Sequence, residues 1–108
     1  MANHENLALI RISLVLLHQW ARAKRLIITE KATLEHQALG YDVDDVLDAI
    51  LDTDERSVRA VSADDRFPER TVVVMHLRVE GRSLYAKISL RIDQDHGVTL
   101  LSFHKWGA

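Results

Sequence analysis

Near Arg56 the apolar residues stop recurring every third or fourth position and begin to recur every second one, and the rest of the chain keeps the shorter period. Side chains that alternate belong to strands and those spaced three and four apart to helices. The first half is therefore expected to be helical and the second half a sheet. Thr71 to Val79, Leu84 to Ile92 and Val98 to Lys105 read as the three clearest strands, and Ser57 to Val61 as a short edge strand before a polar loop through Pro68. Glu80-Gly81-Arg82-Ser83 suits a four-residue hairpin loop, and Asp93-Gln94-Asp95-His96-Gly97 a second one. The expected fold is α+β, with N-terminal helices packed on one face of an antiparallel three- or four-stranded sheet.

The helices have their own signals. Leu7, Ile10, Leu14, Leu17 and Ala21 form one apolar stripe, and Leu9, Ile12, Leu16 and Trp20 a second on much of the other side. This first helix packs under the sheet, and its second stripe is a candidate contact for a partner chain. A second helix spans Glu30 to Leu39 and is stopped by Gly40. A third starts at once: Asp42 is its N-cap, Asp44 and Asp45 sit at the positive dipole end, and Val43, Val46, Leu47, Ile50 and Leu51 make the buried stripe.

At 108 residues, with one proline and no low-complexity run, the chain suits a single domain over residues 1–108. The apolar run from Leu7 to Ala21 is interrupted by Arg11, Ser13, His18 and Gln19 and is shorter than the roughly 20 residues of a bilayer span. It lacks the positive start of a secretory signal, so a cytoplasmic location with no membrane partner is expected. The absence of cysteine removes disulfides and thiol nucleophiles. The net charge of −2 argues at first against a phosphate-rich partner, but it hides an asymmetry. Residues 42–70 hold ten acids and four arginines, whereas the flanks on both sides are mildly basic.

Splitting each strand into its two rows gives the chemistry. Val73, Met75, Leu77 and Val79, then Leu84, Ala86, Ile88, Leu90 and Ile92, then Leu101 and Phe103 face the core. The opposite row carries His76 and Arg78, then Tyr85, Lys87, Ser89 and Arg91, then Ser102 and His104, with no carboxylate among them. Pairing Val79 with Leu84 would set Arg78 opposite Tyr85 and His76 opposite Lys87, with His104 beside Tyr85 or Lys87. Imidazoles and a phenol that move protons, beside cations that hold phosphate, suit a phosphodiester better than an ester or a sugar. The plain alternative is a solvated outer sheet face. Six histidines without a two-His helical spacing do not make a metal site, and Asp93, Asp95 and His96 read as turn formers. No metal or cofactor is expected.

The order of elements and several short words resemble the MqsR (motility quorum-sensing regulator) family of bacterial type II toxins, mRNA interferases with a RelE-like fold. The resemblance covers about Leu26 to Lys105. It rests on Ala38-Leu39-Gly40-Tyr41-Asp42-Val43-Asp44, on Leu84-Tyr85-Ala86-Lys87-Ile88 and on Leu101-Ser102-Phe103. It implies an endoribonuclease that cuts single-stranded mRNA, free or on the ribosome, by attack of the 2′-hydroxyl without metal, and a cognate antitoxin protein. The family's catalytic tyrosine falls on Tyr85, with Lys87 two positions on. A family lysine after the Ser-Phe pair is replaced by His104, another falls near Arg59, and the family's glutamine in the next strand has no counterpart in Thr71-Val72-Val73-Val74. Tyr85, His104 and Lys87 are thus the candidate catalytic set, with Arg78, Arg59, His76 and Arg91 for phosphate. Two other classes compete: an inactive scaffold binding proteins through its acidic third helix and its first helix, and a homodimer formed through the open face.

Overall fold

The computed structural model describes residues 4–92 and 97–107, with side chains from Leu7 onward. Three helices, α1 (His4–Arg22), α2 (Glu30–Ala38) and α3 (Val43–Leu51), accompany five strands: β1 (Ile27–Ile28), β2 (Val58–Ala63), β3 (Thr71–Val79), β4 (Arg82–Leu90) and β5 (Thr99–Lys105). The sheet order is β1-β5-β4-β3-β2. The expected α+β class holds, but the sheet is mixed rather than purely antiparallel and has one more strand than the expected maximum. The addition is β1, which pairs parallel with β5 through Ile27 with Thr99 and Ile28 with Leu100. Two residues carry no period, so β1 was illegible in the apolar pattern.

Local chemistry places the helix ends. Tyr41 N–H donates to His36 O and Gly40 N–H to Gln37 O, closing α2 as a Schellman turn with Gly40 at φ +86°. Asp42 and Asp45 form a reciprocal capping box at the start of α3, as the acidic cluster led one to expect for Asp42. Val43, placed in the buried stripe by spacing, is exposed because it occupies the first turn, beyond the reach of the sheet.

Ile10, Leu14, Leu17 and Ala21 of α1 and Val46, Leu47 and Ile50 of α3 join Val73, Met75, Leu77, Leu84, Ala86, Ile88 and Leu90 in one buried cluster. The second stripe of α1 is split. Leu16 and Trp20 pack against that cluster, whereas Ile12 and the neighbouring Val15 stay exposed. Helix α2 continues β1 along the edge of β5: Thr29 N–H donates to Leu100 O at 3.2 Å, and Phe103 N–H to Glu35 Oε1 at 3.0 Å. A carboxylate thus satisfies an edge amide that would otherwise face solvent. No helix among the described residues is long and apolar enough to cross a membrane.

His18 joins α1 to the end of α3. The Thr53 hydroxyl donates to Ile50 O at 2.6 Å and so accepts from His18 Nε2 at 2.9 Å. Burial, reinforced by the Arg22 charge, lowers the His18 pKa below its usual value, with the Ile50 carbonyl opposing weakly. A histidine pKa lowered by folding means that the unfolded chain binds the proton more readily. The stability it supplies is therefore complete above about pH 6.5 and falls as pH drops toward the folded pKa. The urea midpoint of the wild type should fall more between pH 7.5 and pH 5.5 than that of His18→Gln; equal drops would refute this.

Candidate active site on the open sheet face

Two irregularities in strand pairing decide what the open face presents. The β3–β4 hairpin turns on Glu80-Gly81 alone, at φ +53° and +79°, and Val79 pairs with Arg82 rather than with Leu84. Two consecutive positive φ values match a two-residue turn whose twist follows that of the strands. The four-residue loop expected from the sequence is thereby corrected, and the register moves with it. His76, not Arg78, lies opposite Tyr85; Arg78 lies opposite Ser83; Lys87 lies opposite Val74.

The second irregularity is a bulge in β5. Lys87 pairs with Ser102 but Ile88 pairs with Leu100, so Leu101 is the extra residue. Leu100 takes the core position that alternation assigned to Leu101, and Leu101 lines the cleft on the open face instead. Beyond the bulge one of the two expected pairings is found: Tyr85, not Lys87, lies opposite His104.

The two rings stack, with centroids 4.6 Å apart and planes within 8°. His104 Nδ1 lies 2.9 Å from Lys105 O. A carbonyl only accepts, so Nδ1 is the donor, and in the neutral ring Nε2 is the nitrogen that holds the lone pair. Lys87 follows Tyr85 on the same row of β4, and its cross-strand partner Ser102 accepts from Lys31 Nζ of α2 at 2.7 Å. Lys31 reaches this face over the edge of the sheet and also sits 3.7 Å from Glu35. Two ammonium groups therefore flank the Tyr85–His104 pair from the β5 bulge side.

Beyond Lys87 the face deepens into a cleft of about 1040 Å³ between the sheet and the β2–β3 loop, and Arg91 and Arg70 line it. Arg70 is bound in place: Nε donates to Ser89 Oγ at 2.6 Å, and Nη2 to Ser89 O and Gly97 O at 2.9 and 3.2 Å. The loop itself turns on Asp64, whose Oδ1 accepts from Arg66 N–H at 2.8 Å and Phe67 N–H at 3.2 Å. Those two amides, and then the charges of Lys87 and Arg70, hold the Asp64 carboxyl below the usual carboxylate range. The strand rows themselves hold no carboxylate, but the loop brings three to the cleft, Asp64, Asp65 and Glu69, of which Asp64 feels the charge of Lys87.

The phosphate-binding candidates divide between two depressions. Arg91 shares the cleft with Lys87 and Tyr85, whereas Arg59, His76 and Arg78 line a smaller groove of about 280 Å³ near Asp52 and Asp54. Arg59 is the unmatched residue of a bulge in β2, and its guanidinium donates to Arg56 O at 2.5 Å. Arg78 is exposed, with Nη1 3.4 Å from Ser83 Oγ. His76 lies next to Tyr85 in the register and so joins the groove to the Tyr85–His104 pair.

Four residues of this face lay outside the sequence reading. Trp106 packs edge-on against His76 at 4.9 Å, and it continues the alternation of Ser102 and His104 by one step. Arg70 precedes the row of Val72, Val74 and His76 in the same way. Asp64 and Lys31 arrive from a loop and a helix, where no strand period could have announced them. Among the described residues no group of three or more His, Asp or Glu is placed to hold a metal ion, and Asp93 to His96 lie outside the described residues. Comparison with protein-family models, with curated proteins and with solved structures gives no match.

Proposed function

We propose that the open face is the active site of an endoribonuclease that cuts single-stranded mRNA, and that the chain is the toxin of a type II toxin–antitoxin pair with a RelE-like fold, as its resemblance to the MqsR family implies. The observation that supports this reading best is the Tyr85–His104 stack with Lys87 beside it and a lone pair left on His104 Nε2. In the proposed reaction His104 Nε2 takes the proton of the ribose 2′-hydroxyl, and the freed oxygen attacks the adjacent phosphorus. The bond from phosphorus to the 5′-oxygen breaks, and the Tyr85 hydroxyl gives that oxygen its proton. A 2′,3′-cyclic phosphate and a 5′-hydroxyl result, and the imidazolium returns a proton to the phenolate. Lys87 and Lys31 stabilise the charge that gathers on the non-bridging oxygens, while Arg78, Arg91, His76 and Arg59 bind phosphates to either side.

The partner in this reading is a cognate antitoxin protein. Ile12 and Val15 on α1 give it an apolar surface, and the acidic outer side of α3 a charged one. An inactive protein-binding module would use the same two surfaces but not the open face. The two separate on induction in cells: the wild type should arrest growth and deplete mRNA, and Tyr85→Phe should restore growth. If the wild type leaves RNA intact both purified and on translating ribosomes, the nuclease reading is wrong.

A further inference from the structure

We propose that Trp106 is the platform on which a nucleobase of the RNA strand stacks beside the scissile phosphate; this rests on the ribonuclease reading and adds where one base is held. Trp106 follows directly on β5, and its backbone N–H donates to Ser83 O at 3.0 Å, which fixes the residue against the start of β4. Its indole meets the His76 ring at 4.9 Å and 82°, and the Tyr85 ring at 5.9 Å and 44°. Tyr85 stacks in turn on His104. Four rings are therefore contiguous in the order His76, Trp106, Tyr85, His104, with the indole between His76 and the proposed reacting pair.

The indole is not needed by the core. It is 39% exposed and stands outside the buried cluster, so its described ring contacts are with groups of the open face alone. Nucleobases released from a duplex stack on anchored, part-exposed rings of this kind with little regard to sequence. The charges around it suit a nucleotide. Arg78 and Trp106 both contact Ser83, the one through its hydroxyl and the other through its carbonyl, so a guanidinium at this end of the face is available to the phosphate of the stacked nucleotide. Lys87 and Arg91 lie at the other end of the row. An RNA strand running along β4 would place one base on Trp106, its neighbouring phosphate at Tyr85 and His104, and the continuing strand in the cleft. A base-paired strand would keep its bases stacked on one another, so only single-stranded RNA takes this path.

The chain has two tryptophans, Trp20 and Trp106, which makes the platform directly observable. In a Trp20→Phe background, titration with a short single-stranded RNA blocked by 2′-O-methyl groups should quench Trp106 emission along the same saturation curve as the anisotropy of a labelled strand. Trp106→Ala in the wild-type background should raise the Kd for that strand and the KM for cleavage by about ten- to a hundred-fold, with kcat changed far less, and Trp106→Phe should recover most of the loss. Saturable binding by anisotropy with unchanged Trp106 emission, or an unchanged Kd in Trp106→Ala, would overturn the platform while leaving the nuclease intact. No binding or cleavage of any RNA by the wild type would overturn both.

Discussion

His104→Ala is expected to lower RNA cleavage by about 10²- to 10⁴-fold, the range that a positioned proton-transfer group supplies. The loss should fall on kcat, because the imidazole acts on a proton that moves only as the 2′-oxygen attacks. The Lys105 carbonyl fixes which nitrogen is available, so even His104→Gln, which keeps polarity and approximate size, should not restore the rate. His104 is only half-buried and no member of the core, so circular dichroism and the thermal midpoint should stay close to wild type. Tyr85→Phe should give a loss of similar order by removing the donor to the leaving oxygen while keeping the ring stack. Because the two residues act in one step of the proposed reaction, the double variant should be little worse than the poorer single one. Rates that multiply in the double variant would contradict a shared step.

Phe103→Ala is expected to have the largest effect on stability, about 3 to 5 kcal/mol. Phe103 is 1% exposed and meets Tyr41 edge-on at 6.3 Å, while its own amide is held by Glu35. Removing the ring opens a cavity where α2, the start of α3 and β5 converge. Against a total of about 5 to 15 kcal/mol for a domain, that is a large share. The urea midpoint should fall with the slope of the transition nearly unchanged. A loss below about 1 kcal/mol would mean that the neighbouring elements collapse to fill the space. The position also matters for the site, since Phe103 lies between Ser102 and His104 and sets the depth at which β5 carries both.

The strand rows were legible because alternation from Met75 to Val79 and from Leu84 to Ile88 runs without interruption: Met75, Leu77, Leu84, Ala86 and Ile88 are all buried, and Tyr85 and Lys87 face the other way. Alternation fails wherever the backbone departs from a regular ladder. In Val98-Thr99-Leu100-Leu101 either leucine could serve the core, and only the bulge opposite Lys87 and Ile88 chooses Leu100. The hairpin register was hidden for a related reason. Glu80 at positive φ is uncommon for a residue with a side chain, and it brings Arg82 and Ser83 into the strand instead of leaving them in the loop. Facing Tyr85 with His104 survived both irregularities because the bulge lies on the far side of Lys87. Lys31 and Ser102 meet across 71 positions of sequence, a contact that only the packing of α2 on β5 creates.

In the proposed reaction the open sheet face transfers a phosphodiester from the 5′-oxygen to the neighbouring 2′-oxygen through Tyr85 and His104. The most direct test is end-group analysis of a single-stranded RNA incubated with the purified chain in a metal chelator, beside His104→Ala and the same strand carrying 2′-deoxy sugars. Wild-type protein should yield 2′,3′-cyclic phosphate and 5′-hydroxyl ends, with the variant slower by at least about a hundred-fold and the deoxy strand uncut. Cleavage of the deoxy strand, or equal rates for wild type and His104→Ala, would contradict it.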